Sequence, residues 1–64
     1  MQMNNMDILK KKLLDAQEMV RDYEMFSKQT NDDEIKNTFK KFAEESGHQA
    51  SKLQAIIDKY EGLK

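Results

Sequence analysis

The residues best suited to chemistry in this 64-residue sequence are Glu45 and His48. A glutamate and a histidine three positions apart on a helix lie on the same side of it. Carboxylate and imidazole groups are ligands for iron and zinc in proteins. Glu18 lies at a similar height on the preceding helix of the predicted hairpin, and pairing of two chains would duplicate the set. The sequence therefore keeps one alternative open: an iron or zinc site built from Glu18, Glu45 and His48 across a dimer.

The neighbouring positions favour a simpler interpretation of this pair. Glu45 and His48 share a helical strip with Thr38, Lys41 and Lys52, and such a strip is typical of a solvated flank. His48 is the only histidine, and no serine lies in the strand-turn-helix setting that nucleophilic catalysis uses. The favoured prediction is a protein without cofactor, without catalytic residues and without enzymatic activity.

The helices that position these residues are predicted from one polar break in the sequence and from two segments in which apolar residues repeat at helical spacing. The cluster Gln29–Glu34 is the only run of turn and cap residues inside the chain, with capping patterns that start at Asn31 or at Thr30. After it, apolar and small residues step by four and three, a heptad pattern typical of a coiled coil or helical bundle. This seam comprises Ile35, Phe39, Phe42, Ser46, Gln49, Leu53, Ile56, Tyr60 and Leu63.

A second apolar seam lies before the break. It comprises Met6, Leu9, Leu13, Ala16, Val20 and Tyr23, and Asn4 or Asn5 is the predicted cap. The sequence thus predicts one domain over residues 1–64, with helix 1 at about 6–29, a turn at 30–31 and helix 2 at about 32–61. So short a turn predicts an all-α, two-helix antiparallel hairpin.

Composition narrows the class of protein further. The chain has no cysteine, so disulfides and thiolate metal sites are excluded. The net charge of −1 offers no concentrated basic face for nucleic acid. No apolar run approaches the ~20 residues of a membrane span, and the start of the chain is polar. We therefore expect a cytoplasmic protein with neither nucleic acid nor membrane as partner.

Two helices alone do not cover apolar stripes of this width. Met19, Phe26, Phe42 and Ile57 are expected to remain partly exposed to water in a single hairpin. Association of two hairpins into a four-helix bundle would cover them. The sequence therefore predicts a homodimer, with a longer helical protein partner or a larger ring of hairpins as the other possibilities.

Polar residues interrupt the middle of the second seam. Ser46 and Gln49 stand where the heptad favours apolar residues, and the facing seam residue on helix 1 is Ala16. The prediction is a small polar layer of Ala16, Ser46 and Gln49 in the bundle core. By analogy with a buried asparagine in a coiled coil, such a layer fixes register and partner choice at some cost in stability.

The same region resembles a known family. The sequence between residues 13 and 60 looks like the first half of a rubrerythrin-type ferritin-like protein, in the segments Tyr23–Lys28, Asp33–Lys36 and Phe39–Glu45 and at Ala50 and Leu53. The resemblance implies a helical hairpin that forms half of a four-helix bundle. It also implies where the family's iron ligands would stand.

These ligand positions hold other residues in this chain. The family's first glutamate corresponds to Ala16, its second glutamate to Ser46, and its histidine to Gln49. A methyl group, a hydroxyl and an amide do not hold iron. The prediction is therefore a non-enzymatic structural or interaction protein of ferritin-like hairpin type that self-associates. The alternative is a ferritin- or rubrerythrin-like di-iron protein that uses Glu18, Glu45 and His48 instead.

Overall fold

The computed structural model describes residues 3–62, which form two long helices and, within that range, no strand. Helix α1 is Asn5–Gln29 and helix α2 is Asp33–Gly62. The ring of Tyr23 lies 5.3 Å from that of Phe39, and Lys10 Nζ lies 4.0 Å from Glu61 Oε1 at the other end. These contacts join the two helices in antiparallel order. The chain is an all-α hairpin measuring 48 × 25 × 12 Å.

The turn between the helices is held by two side chains. Thr30 ends α1, and its hydroxyl oxygen accepts a hydrogen bond from the Asp32 backbone N–H at 3.1 Å. Asp32 Oδ1 accepts from the Ile35 N–H at 2.9 Å, which makes Asp32 the cap of α2. The prediction that Asn31 or Thr30 caps this helix is wrong by one or two positions. Thr30 stabilises the turn itself, and the helix begins later at Asp33.

The start of α1 is capped by one of its two predicted candidates. Asn4 has an extended backbone, and its side-chain oxygen accepts from the Asp7 N–H at 2.8 Å. Asn5 is the first residue of the helix. Asp7 lies in the first turn, where the helix dipole favours negative charge.

Small side chains occupy the contact between the helices. The buried residues are Ala16 and Ser27 on α1 and Ala43, Ser46 and Ile57 on α2. We call these five residues the facing strips. Among the described residues no large side chain is fully buried, so this hairpin has a thin core for its size. The larger seam residues flank the contact and are half-buried: Leu9, Leu13, Val20, Tyr23, Phe39, Leu53 and Ile56.

Ile57 is the one large aliphatic residue of the facing strips, with 3% of its surface exposed. The prediction that Ile57 stays partly exposed to water is therefore wrong. Ile57 lies eleven residues, or three helical turns, after Ser46 and therefore on the same side of α2. The other three residues expected to be exposed, Met19, Phe26 and Phe42, are exposed. In the described range, neither helix is apolar over a length that would carry it across a membrane.

Candidate functional site

One side of the hairpin carries six of the nine large hydrophobic side chains that are exposed in residues 3–62. It is formed by residues spaced seven or eleven positions apart, which places them two or three turns apart on one strip of each helix. All of them are exposed in the single chain. We call this surface the open face: Ile8, Met19 and Phe26 of α1, with Ile35, Phe42, Gln49 and Tyr60 of α2.

Two hollows lie along the open face on either side of Gln49. The first, of about 260 Å³, is lined by Met19, Tyr23, Phe42, Glu45, Ser46 and Gln49. The second, of about 480 Å³, is lined by Lys12, His48, Gln49, Lys52 and Leu53. Because the first hollow joins residues of both helices, the exposed strips of α1 and α2 belong to one surface. The hollows carry opposite charges at their rims, Glu45 in one and Lys52 in the other.

An aromatic cluster gives the open face a defined shape near the turn. The Tyr23 ring lies 5.3 Å from Phe39 and 5.4 Å from Phe42, and it meets Phe42 nearly edge to face at 65°. Such pairs stabilise by about 0.5–1.5 kcal/mol beyond the area they bury. Phe42 is still 38% exposed, so its outer surface remains available to another molecule.

The opposite side of the hairpin is polar. Its residues repeat every seven positions, and the Lys10–Glu61 contact joins the two helices there. Gln54 donates to Asp58 Oδ1 at 2.9 Å at the edge of the same side. We call this surface the polar face: Lys10, Gln17 and Glu24 of α1, with Lys40, Gly47, Gln54 and Glu61 of α2. The hairpin thus presents an apolar and a polar side.

The basic run at residues 10–12 is partly paired within the chain, since Lys11 and Lys12 share the carboxylate of Asp15. Lys11 Nζ donates to Asp15 Oδ1 at 2.6 Å, and Lys12 Nζ lies 3.4 Å from Asp15 Oδ2. The hydrogen bond from Lys11 lowers the pKa of Asp15 below its ordinary value and raises the pKa of Lys11. Neither Glu45 nor Lys52 has an ion-pair partner within residues 3–62. These two residues are therefore charges beside the open face that a partner could still pair.

The predicted polar layer is divided between two surfaces in the single chain. Ala16 and Ser46 are buried between the helices, while Gln49 is exposed on the open face. Gln49 follows Ser46 by three residues, a rotation of roughly 60° away from the facing strip. In the predicted bundle, Gln49 would enter the core only when another molecule covers the open face.

Sequence reasoning missed Ser27, the other buried polar residue. Its hydroxyl donates to the Glu24 carbonyl at 2.8 Å, which satisfies it inside the helix contact. The signal was present, because the seam of α1 steps by three and four up to Tyr23 and the next step of four reaches Ser27. Its small side chain allows the helices to approach each other near the turn.

In the alternative metal site, Glu45 and His48 border the two hollows of the open face, whereas Glu18 lies on the other helix and borders neither hollow. Glu18 and His48 each follow a buried residue by two positions, a rotation of roughly 200° that directs them away from the helix contact. All three residues are exposed, and residues 3–62 bring no three histidine, aspartate or glutamate side chains together for a metal ion. A metal site of Glu18, Glu45 and His48 stays a prediction that a second copy would have to complete.

Comparison with family models, with curated proteins and with solved structures finds no match to this chain. The ferritin-like resemblance therefore rests on the sequence segments alone.

Proposed function

We propose that this chain is a non-enzymatic structural or interaction module, a hairpin of ferritin-like type that associates through its open face with a second copy. The product is a four-helix bundle. The observation that carries the proposal is that six of the nine large hydrophobic side chains exposed in residues 3–62 lie on the open face, with Met3, Leu14 and Met25 elsewhere.

The surface area supports the need for a partner. The hairpin exposes 5246 Å². A compact monomer of 7.6 kDa would expose roughly 4,300 Å² by the usual scaling of surface with mass. The excess is similar to the roughly 800 Å² that each partner buries in a stable protein interface. Covering the open face with a second copy would therefore bring the exposed surface per chain near that of an ordinary folded protein.

The thin core supports the same conclusion. Chains of this length rarely obtain enough stability from a single small core, and association is one of the ordinary remedies. Disulfides are not available because the chain contains no cysteine. A bundle would bury Phe42, Met19 and Phe26, at about 1.5–3 kcal/mol for each side chain fully removed from water.

The proposal predicts a metal-free dimer whose stability depends on concentration. Native mass spectrometry and sedimentation equilibrium would measure the oligomer, and elemental analysis of the same chelator-free sample would measure metal. Because association and folding are linked, a tenfold dilution should also lower the melting temperature. A monomer at micromolar concentration would contradict self-association and leave the open face for another protein. Stoichiometric iron or zinc per dimer would favour the alternative site at Glu18, Glu45 and His48.

The polar positions near the centre give a second prediction. We expect Ser46→Ala with Gln49→Leu to raise the free energy of unfolding by about 1–3 kcal/mol per chain, because a leucine replaces an amide where the bundle is buried. The double variant should also populate more than one oligomer in native mass spectrometry, since the residue that fixes register is lost.

The matched control for this pair is Gln17→Leu with Ser51→Ala, at exposed positions away from the open face. This control should change neither stability nor oligomer distribution appreciably. A clear loss of stability in the Ser46 and Gln49 variant, with an unchanged single oligomer, would refute the proposed role of the polar positions.

A further inference from the structure

We propose that the second copy docks on the open face end for end, so that the turn of each hairpin lies beside the open end of its partner. The twofold axis of this antiparallel dimer passes close to Gln49, and Lys52 of each chain pairs with the partner's Glu45. This inference rests on the self-association proposed above and adds the orientation and the contacts that select it.

The first support is the distribution of charge along the hairpin. The turn half, residues 18–46, carries eight acidic and five basic side chains, a net charge of −3. The open half, residues 3–17 and 47–62, carries four acidic and five basic side chains, a net charge of +1. A parallel dimer would place the two acidic halves together. An antiparallel dimer places each acidic half against a basic half, and such complementarity favours one arrangement of partners over another.

The second support is the placement of the two hollows. Both border Gln49, the hollow with Glu45 toward the turn and the hollow with Lys52 toward the open end. A twofold axis through this point, perpendicular to the helices, places the Glu45 hollow of each chain opposite the Lys52 hollow of the other chain. The interface then contains two Glu45–Lys52 contacts. A parallel dimer has its twofold axis along the helices, which lays α2 against the partner's α1 and keeps Glu45 away from the partner's Lys52.

The apolar parts of the open face fit the same arrangement. Phe26 and Ile35 lie near the turn, and Ile8 and Tyr60 lie near the open end, so each end of the face carries large apolar side chains. The end-for-end rotation therefore places apolar surface on apolar surface along the full length of the hairpin. The polar face remains outside, in water.

Distances between spin labels test the orientation directly. The chain has no cysteine, so a label on Asn31→Cys, in the exposed turn, is unique. With helices that rise about 1.5 Å per residue, the antiparallel dimer places the two labels roughly 40–50 Å apart, whereas a parallel dimer places them within about 20 Å. Ser51→Cys, close to the middle of α2, serves as the control, because its label distance differs little between the two arrangements.

Neutralising variants test the charge contacts. Glu45→Gln and Lys52→Gln should each weaken the antiparallel dimer about three- to tenfold, because each change removes two exposed ion pairs. In a parallel dimer Glu45 and Lys52 do not meet across the interface, so neither change would weaken association. Glu44→Gln, a neighbouring exposed glutamate directed away from the open face, is the matched control and should leave the dissociation constant unchanged.

The outcomes separate this inference from the proposed function. A dimer with long Asn31 label distances and weaker association of both neutralised variants supports it. A dimer with short Asn31 label distances, or one that neither Glu45→Gln nor Lys52→Gln weakens, overturns the orientation and leaves self-association standing. A chain that is monomeric in sedimentation equilibrium overturns both.

Discussion

Phe42→Glu should abolish self-association, with a dissociation constant at least 100-fold weaker than that of the original chain. Phe42 is exposed in the single hairpin and lies in the half of the open face nearer the turn, against Tyr23. In a twofold dimer the substitution places two carboxylates in the interface, and each loses hydration without gaining a partner. Sedimentation equilibrium would measure the association, and circular dichroism would measure helix content.

Controls separate loss of the interface from loss of the hairpin. Leu14→Glu introduces the same charge at a side chain that is 50% exposed and directed away from α2, so the dimer should persist. Met19→Glu changes the α1 side of the open face and replaces no residue of the aromatic cluster. It should weaken association as Phe42→Glu does. If Phe42→Glu and Met19→Glu both associate like the original chain, the open face is not the interface.

Ile57→Ala should remove a large part of the stability of the fold. Ile57 is the only large aliphatic side chain of the facing strips, and truncation of a buried isoleucine to alanine costs about 2–4 kcal/mol. For a domain of this size that loss lowers the melting temperature by about 10–25 °C. Thermal and urea denaturation followed by circular dichroism, at one fixed protein concentration, would measure it.

A graded series makes this result specific to packing. Ile57→Val should cost only about 0.5–1.5 kcal/mol. Leu14→Ala, at a position exposed in the hairpin and away from the open face, should change the free energy of unfolding very little. A loss at Ile57→Ala no larger than that at Leu14→Ala would mean that Ile57 does not carry the helix contact.

The helices could be predicted from the sequence because local features determine them. The run Gln29–Glu34 is the only polar break, and apolar residues repeat at helical spacing on both sides of it. The cap was harder to place, since Thr30, Asn31 and Asp32 are all good cap residues and adjacent. Only the hydrogen bonds of the folded turn distinguish Asp32, as the cap of α2, from Thr30, which accepts within the turn.

The side of each helix that meets its neighbour was less predictable. The apolar stripe of α2 is wide enough for two partners, and a heptad repeat drifts by about 20° per repeat around a straight helix. The sequence therefore gave no means to decide that Ile57 faces α1 while Phe42 and Gln49 face outward. That choice depends on the small residues Ala16, Ala43 and Ser46, which let the helix backbones approach along one strip.

The candidate metal site shows the same difference between what one helix determines by residue spacing and what depends on the packing of both helices. Glu45 and His48 share one side of a helix by their spacing alone. Their relation to Glu18 depends on how both helices are rotated about their axes, and the folded hairpin directs Glu18 and His48 outward from opposite helices. Spacing within one helix could suggest a ligand pair, but it could not assemble a third ligand from the other helix.

The polar face sets a limit on the size of the assembly. An interface that uses the same surface on both copies is consumed when two chains meet, and growth continues only if a second adhesive surface remains. Here the remaining broad side carries Lys10, Gln17, Glu24, Gln54 and Glu61, which stay hydrated. The proposed dimer is therefore a closed, finite particle instead of a fibre, and only several hydrophobic substitutions made together across the polar face would open it to polymerisation.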